Sequence, residues 1–152
     1  MKKRIFILIP IIIFTAALLF FFLKGSGRET LVWAQELTAD EISKIELVVM
    51  PSNEEERYKV FAKEEYERLT GLINNSKGRY CANANPQELC GSSIILYITL
   101  KDGSRHTVGN NGNTYLIIDA DSYKAGYSWL NSWQEKYQLG KGDEKIPEDF
   151  EW

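Results

Sequence analysis

The chain contains a single histidine, His106, so any reaction that needs an imidazole base depends on this residue. His106 follows a predicted hairpin turn, and the alternation of side chains along a strand predicts that it faces solvent. A catalytic triad would also need an orienting acid and a nucleophile, but the chain has no G-x-S-x-G nucleophile elbow. A small hydrolase or metal-dependent enzyme that uses His106 with Asp119 or Asp121 is therefore an alternative interpretation and not the leading one.

Asp119 and Asp121 form a D-x-D pair whose oxygens could bind a calcium ion, with Asn110, Asn111 or Asn113 near them if the turns cluster. The spacing lacks the remaining ligands of an EF-hand loop, including its distal glutamate. Aspartate is also common in turns, because its side chain hydrogen-bonds the nearby backbone. We therefore expect two turn residues here, and we predict neither a metal site nor a cofactor.

Cys81 and Cys90 are the two cysteines of the chain, and eight residues separate them. This spacing differs from the C-x-x-C of redox-active pairs, and with His106 the cysteines are one ligand short of a four-ligand zinc site. Outside the cytoplasm such a pair stays oxidised. We therefore expect a structural disulfide between Cys81 and Cys90, contributing about 2–3 kcal/mol by restricting the unfolded chain. Free thiols are the alternative.

Tyrosine and tryptophan residues are the candidates for a binding face, because they combine a large rigid surface with a polar tip. Most of them must pack in the core of so small a domain. Four aromatic residues near the C-terminal end form the predicted binding face: Tyr123, Tyr127, Trp129 and Trp133. The helical spacing of Trp129, Leu130, Trp133 and Tyr137 predicts that part of this face lies on a closing helix.

The compartment in which these residues act depends on the segment 5–23, which has 19 residues and no charge. As a helix it would reach about 28 Å, enough to cross the hydrocarbon core of a bilayer. Lys2, Lys3 and Arg4 precede the segment and favour a cytoplasmic N-terminus. We therefore predict a single-pass cell-membrane protein with an extracellular C-terminal domain. The alternatives are a cleaved signal peptide and a segment buried in a soluble core.

The charge distribution separates the same two parts of the chain. Residues 29–152 carry 13 basic and 21 acidic side chains, a net charge of −8, which disfavours nonspecific nucleic-acid binding. A second domain would be too small to bury a core of its own. The predicted organisation is a cytoplasmic basic stub at 1–4, a transmembrane anchor at 5–23, a linker at 24–30, an extracytoplasmic domain at 31–139 and an acidic flexible tail at 140–152.

Local patterns predict an α+β fold for the domain. Thr38 and Glu41 form a capping box for a short helix, and apolar residues recur at helical spacing between 63 and 75. Strands are predicted at 45–50, 57–61, 92–100, 105–108, 115–118 and 123–124. We expect an antiparallel meander sheet of about five or six strands, with the 63–75 helix and the C-terminal helix on one face and a single N-terminal transmembrane helix before it. An all-β barrel is the alternative.

Five stretches of the sequence carry a resemblance to known domains. They are KIELVV at 44–49, EEYERLTGLINN at 64–75, ITLKDGS at 98–104, NGNTYLIID at 111–119 and WLNSW at 129–133. Their order resembles small secreted or membrane-tethered domains of Gram-positive bacteria, chiefly Clostridia and relatives, whose families have no assigned function. The resemblance covers about residues 38–137 and implies an extracytoplasmic α+β domain on one membrane anchor. It implies no catalytic residue and does not include the loop between Cys81 and Cys90.

The leading interpretation is a non-enzymatic, membrane-anchored extracytoplasmic binding or accessory domain. Its expected partner is a protein, a peptide or a cell-wall component near the membrane surface, because a tether raises the effective concentration of neighbouring membrane components. Two alternatives remain: the enzyme that uses His106, and a carbohydrate-binding module. A carbohydrate module would present coplanar exposed aromatic rings along one face.

Overall fold

A computed structural model describes residues 29–50, 57–82, 84, 93–112, 114–126 and 142–152. The strands in chain order are β1 (Ile42–Met50), β2 (Tyr58–Val60), β3 (Arg79–Tyr80), β4 (Ser93–Leu100), β5 (Arg105–Asn111), β6 (Tyr115–Ile118) and β7 (Asp121–Lys124). They form one antiparallel sheet in the order β2-β1-β4-β5-β6-β7-β3. Two helices, α1 (Glu29–Glu36) and α2 (Tyr66–Asn74), pack against it.

This arrangement confirms the predicted antiparallel α+β architecture, but the described residues form seven strands instead of five or six. Strands β4 to β7 follow one another as in the predicted meander, whereas β1 pairs with β4 and β3 pairs with β7. The unpredicted strand is β3, whose two residues, Arg79 and Tyr80, pair with Lys124 and Tyr123 at the edge of the sheet. A two-residue strand has no periodicity of its own, so only its pairing with β7 reveals it. The predicted closing helix at 129–137 lies outside the described residues.

Helix α2 forms where helical spacing predicted it, and it buries Tyr66, Leu69, Leu72 and Ile73. A 3-10 turn, Lys63–Glu65, precedes it. The amphipathic pattern is informative here because every third or fourth residue faces the sheet.

Helix α1 begins at Glu29, two residues inside the segment predicted to be a linker. It buries Ala34, and Leu37 follows it into the core. The amide of Asn74, at the end of α2, donates to the carbonyls of Ala34, Gln35 and Leu37, each at 3.0 Å. These bonds satisfy carbonyl groups that the end of α1 would otherwise leave without partners, so the two helices hold each other in place.

The capping box at Thr38 and Glu41 is only partly as predicted. The Glu41 carboxylate accepts the Thr38 backbone N–H at 2.9 Å and the Thr38 hydroxyl at 2.7 Å, and these bonds hold the pKa of Glu41 below its ordinary value. The expected short helix is a single 3-10 turn, Ala39–Glu41. Strand β1 starts at the next residue, Ile42, which leaves no room for a longer helix.

The hairpin between β4 and β5 confirms the turn predicted from Asp102 and Gly103. Gly103 has a φ of 89°, which glycine adopts without steric cost. The Asp102 carboxylate accepts the Ser104 N–H at 2.8 Å and the Ser104 hydroxyl at 2.7 Å, and these bonds lower the pKa of Asp102.

The inner face of the sheet, which carries the helices, holds the main hydrophobic core. The strand residues of this core are Ile42, Ile45, Leu47, Val49, Ile94, Leu96, Ile98, Val108, Leu116, Ile118 and Tyr123. Leu96, Ile98 and Leu116 are fully buried. Burial of apolar surface on this face is therefore the main source of stability.

The outer face is covered only in part. Strand pairing places six residues in one row across it, from β2 to β7: Tyr58, Val48, Ile95, Gly109, Ile117 and Ser122. Residues 142–152 cover one end of this row, where Ile146 and Phe150 pack on Val48 and Tyr58. The predicted flexible tail is thus, in its described part, packed on the sheet.

The membrane prediction lies outside the part of the chain that the structure describes. The apolar segment 5–23 precedes the described residues, and among those residues no helix is long and apolar enough to cross a membrane.

Candidate functional site

A groove of about 290 Å³ opens on the outer face, across β4 to β7. Ile95, Gly109 and Ile117 are neighbours on three adjacent strands and form its floor. The hydroxyl side chains of Ser93, Thr107 and Ser122 also line it. An apolar floor with polar groups at its rim is the usual composition of a ligand-binding cleft.

The groove exists because residue 109 is a glycine. A Cβ atom at Gly109 would lie 2.5 Å from the Ile94 carbonyl oxygen and 3.2 Å from Cγ1 of Ile95. A side chain would therefore collide with β4, and it would occupy the gap between Ile95 and Ile117. Glycine inside a strand often marks a close approach of backbone or ligand.

The ionisable group at the groove is acidic. Asp119, in the turn between β6 and β7, is the only charged residue among those described as lining it. Tyr97 lines the opposite side, and burial raises the pKa of its phenol above 10.0 even though the nearby Arg105 favours ionisation. The groove therefore presents an apolar floor, neutral hydroxyl groups and one carboxylate.

The side chains of His106 and Asp119 are within hydrogen-bond distance of each other. The Nδ1 atom of His106 is 3.0 Å from Oδ2 of Asp119, and Oδ1 of Asp119 accepts the Thr107 backbone N–H at 2.8 Å. Because an ionised carboxylate can only accept, His106 donates its Nδ1 proton, and in the neutral form of the ring Nε2 then carries the lone pair. Asp119 has a φ of 53°, a conformation that few residues other than glycine, asparagine and aspartate adopt.

The prediction that His106 faces solvent on an open strand is wrong. His106 pairs with Ile98 and lies at the margin of the inner face, where the indole of Trp33 stacks on its ring with centroids 4.0 Å apart. Its side chain is 25% exposed. The error has a physical cause: Trp33 comes from α1, which the sequence analysis assigned in part to a linker.

His106 and Asp119 correspond to the histidine and the acid of a hydrolytic triad, without its nucleophile. An aspartate that fixes the imidazole tautomer is the arrangement by which a histidine becomes a general base. Among the residues that the structure describes, however, no hydroxyl or thiol is hydrogen-bonded to His106. The arrangement can therefore hold or transfer a proton, but it lacks a positioned nucleophile within the described residues.

Asp121 is not part of that pair. Its carboxylate accepts the Thr30 hydroxyl at 2.9 Å, and the same hydroxyl lies 2.6 Å from the Tyr123 hydroxyl. These bonds join the first turn of α1 to β7. Within the described ranges, no three His, Cys, Asp or Glu side chains are grouped so as to hold a metal ion.

The predicted aromatic face is only partly described. Tyr123 is 1% exposed and belongs to the inner core, where burial raises the pKa of its phenol despite the Thr30 hydrogen bond. Its ring is therefore not part of an exposed binding face. Tyr127, Trp129 and Trp133 lie outside the described residues, so their role stays a prediction.

The disulfide also stays a prediction. Cys81 is half-buried and has a free thiol in the structure, and its backbone N–H donates to the Ser122 carbonyl at 2.9 Å. Cys90 lies outside the described residues.

The sequence analysis missed the groove, although the sequence contains a signal for it. Strand β4 has the consecutive apolar residues Ile94, Ile95 and Leu96, and β1 has Leu47, Val48 and Val49. A strand with one solvated face alternates apolar and polar residues, so continuous apolar runs indicate cover on both faces. This pattern predicts that the outer face of the sheet is covered, but it does not predict which part of that face is left open.

Comparisons with protein-family models, with curated proteins and with solved structures find no match for this chain.

Proposed function

We propose that this chain is a membrane-anchored extracytoplasmic binding domain that holds an extended, basic segment of a partner protein in the outer-face groove. The observation that carries the proposal is the groove itself, with its apolar floor of Ile95 and Ile117 on either side of Gly109. Both isoleucines are half-buried, and apolar side chains that line an open groove are typical of an interaction site.

The charge of the domain selects the partner. Residues 29–152 carry a net charge of −8, and Asp119 is the one charged side chain among the described groove residues. Complementary charge steers association and disfavours acidic partners. Alternating apolar and basic residues in an extended chain would place apolar side chains on the floor and lysines toward the solvent.

The proposed location at the membrane rests on the N-terminal segment. Residues 5–23 are apolar and uncharged, and three basic residues precede them. A tether of this kind concentrates the domain near membrane and cell-wall proteins. Protease added outside intact cells should remove an epitope fused after Trp152, and protection of that epitope in intact cells would contradict the location.

The groove is tested with synthetic ten-residue peptides in which apolar residues alternate with lysine or with glutamate. We expect the lysine peptides to bind the full-length chain in detergent. The substitution Ile117→Arg removes part of the floor and adds a like charge, so it should weaken this binding at least tenfold. Fluorescence anisotropy with labelled peptides measures the affinities.

Val60→Arg is the matched control, because Val60 is 46% exposed on β2, away from the groove, and receives the same charge. Its affinity should stay within twofold of the unsubstituted chain. Equal binding by Ile117→Arg and Val60→Arg would contradict the groove as the site, and equal binding of lysine and glutamate peptides would contradict a basic partner.

A small hydrolase is the second candidate, and the contact between His106 and Asp119 favours it. His106 would act as the general base, oriented by Asp119, on a water or hydroxyl that a substrate brings with it. Hydrolysis of a panel of ester substrates should then fall at least 100-fold in His106→Gln and in Asp119→Asn. An unchanged rate in both folded variants would eliminate this candidate.

A further inference from the structure

The acidic segment, defined as residues 142–152, is held on the outer face like a bound peptide. Its two ends contact the sheet differently: residues near Gly142 bond to the edge strand β2, and Phe150 enters a cluster of side chains. We name that cluster the aromatic seat and define it as Val48, Tyr58, Tyr97 and Arg105.

The backbone contacts form a single antiparallel bridge, between Tyr58 on β2 and Glu144 of the segment. The N–H groups of Arg57 and Tyr58 donate to the Glu144 carbonyl at 2.8 and 2.9 Å, and the N–H groups of Asp143 and Glu144 donate to the Tyr58 carbonyl at 2.9 Å. Proteins that capture extended peptides at a sheet edge use this mode, in which main-chain bonds supply affinity and side-chain pockets supply specificity.

Gly142 makes that approach possible. A Cβ atom at this position would clash with the backbone N of Tyr58 and lie 2.6 Å from its carbonyl oxygen. Only a residue without a side chain fits against the β2 backbone there. The sequence of the segment is therefore matched to the edge that it contacts.

Phe150 is the anchor in the aromatic seat. Its ring meets Tyr97 edge-on with centroids 5.0 Å apart and Tyr58 at 5.6 Å. The Arg105 guanidinium lies 5.1 Å from the Phe150 centroid and 4.8 Å from that of Tyr97. Such edge-to-face and cation–π contacts are directional, so the seat selects an aromatic residue.

Two cations of the sheet, Arg105 and Lys59, contact acidic residues of the segment. Arg105 donates to the Glu151 backbone carbonyl and lies 3.9 Å from the Glu151 carboxylate. Lys59 lies 3.8 Å from the Asp143 carboxylate. Five of the eleven residues of the segment are acidic, and two of them, Asp143 and Glu151, lie near Lys59 and Arg105. Arg105 also lies 3.5 Å from the buried Glu46 carboxylate, so the segment shares this cation with the sheet.

The segment is attached to the sheet through a long stretch of chain. Residues 127–141 join Gly126, just after β7, to Gly142 at β2, which is five strand spacings or about 24 Å away across the sheet. The same number of residues fully extended would span about 50 Å. The contour length of the connection therefore exceeds the distance that it must cover on one copy.

We propose that the aromatic seat is a peptide-binding site that exchanges the chain's own acidic segment for the acidic segment of a second copy. Exchange between copies substitutes identical contacts, so its cost is small. The seat lies on β2, β1, β4 and the start of β5, and the proposal does not depend on occupancy of the groove.

The first test uses a fluorescein-labelled peptide of residues 142–152 and the full-length chain in detergent. Phe150→Ala removes the anchor from the chain's own segment and leaves the seat intact. This variant should bind the peptide at least tenfold more tightly than the unsubstituted chain, because the competing segment is weakened. A peptide with alanine in place of its phenylalanine should not bind. Equal affinity of variant and unsubstituted chain would overturn the proposal.

Gly142→Ala provides a second route to the same result, because the clash of its Cβ with the Tyr58 backbone displaces the segment at its other end while every side chain of the seat is kept. Gly126→Ala is its control, since a Cβ atom there meets nothing within 4 Å. Circular dichroism establishes that each variant is folded. Peptide capture by Gly142→Ala and not by Gly126→Ala supports the proposal, and capture by neither overturns it.

Exchange between copies is tested by mixing two defective chains. Phe150→Ala has an intact seat and a weakened segment, whereas Arg105→Ala has a weakened seat and an intact segment. Donor and acceptor dyes on the two chains should show energy transfer only in the mixture, and excess unlabelled peptide should abolish it. Absence of transfer in a mixture whose Phe150→Ala chain captures the peptide would overturn the second copy as an occupant.

Discussion

The two faces of the sheet differ in how they are covered, although the same strands supply both. On the inner face, helices α1 and α2 bury a continuous apolar core that includes Leu96 and Leu116 at 0% exposure. On the outer face, residues 142–152 cover one end of a row and leave a groove at the other. The inner face thus provides most of the buried apolar surface, and part of the outer face is open.

The largest difference between the faces should appear at two adjacent positions of β4. Leu96 is fully buried on the inner face, and Ile95 is half-buried on the floor of the groove. Leu96→Ala should lower the free energy of unfolding by about 2–5 kcal/mol, and Ile95→Ala by less than about 2 kcal/mol. Urea unfolding followed by circular dichroism measures both values. Equal losses would show that the outer face is as important for stability as the core.

Gly109→Ala should produce the next largest effect, because the added Cβ would lie 2.5 Å from the Ile94 carbonyl oxygen. Backbone atoms cannot move aside without separating β4 from β5, so we expect a loss of about 1–3 kcal/mol in the free energy of unfolding. The same unfolding experiment tests it. An unchanged free energy of unfolding would contradict this prediction, because it would mean that β4 and β5 move apart at no cost.

Alkaline pH should lower the stability of the fold in part through Tyr58 of the aromatic seat. Burial, then the 2.5 Å hydrogen bond to Glu46, raises the pKa of Tyr58 above its ordinary value of 10.0. A raised phenol pKa means that the folded state favours the neutral form, so the stabilisation is complete below pH 10 and is lost as the pH rises above it. Between about pH 9 and 11, the unsubstituted chain should lose more stability than Tyr58→Phe.

Tyr123→Phe provides the inner-face comparison, because burial also raises the pKa of Tyr123. Its stability curve against pH should be flatter than that of the unsubstituted chain as well. Parallel curves for all three proteins would show that neither phenol is linked to folding in this range.

The smallest effect is expected on the solvent side of α2, where Gly71 has no atom within 4 Å of a built Cβ. Gly71→Ala should raise the free energy of unfolding by about 0.5–1 kcal/mol, because alanine loses less backbone entropy in a helix. The gain is measured as a higher urea midpoint. A loss would indicate that α2 requires the glycine for its contact with α1.

The parts of this structure that the sequence predicts are those with a strong local pattern. Helix α2 has apolar residues at helical spacing, and the turn at Gly103 has an Asp-Gly pair. The elements that were missed depend on distant partners: β3 is defined by its pairing with β7, and α1 by the contacts of Trp33 and Asn74. Local spacing contains no information about such pairings.

The candidate sites show the same limit. Sequence analysis named His106 with Asp119 as a possible pair, but it could not place the pair beneath Trp33, because this requires the position of α1. The groove needs the register that aligns Ile95, Gly109 and Ile117 on three strands. Register follows from the packing of whole strands and is set by no single residue.

The hydrogen bonds of Thr30 determine how tension would enter the domain. Thr30 lies in the first turn of α1 and contacts Asp121 and Tyr123 on β7. At the other end of the helix, Asn74 donates a hydrogen bond to the Ala34 carbonyl. A pull on the chain ahead of Glu29 would therefore reach the sheet at once, through both ends of a short helix. These hydrogen bonds would have to break before α1 could unravel under tension.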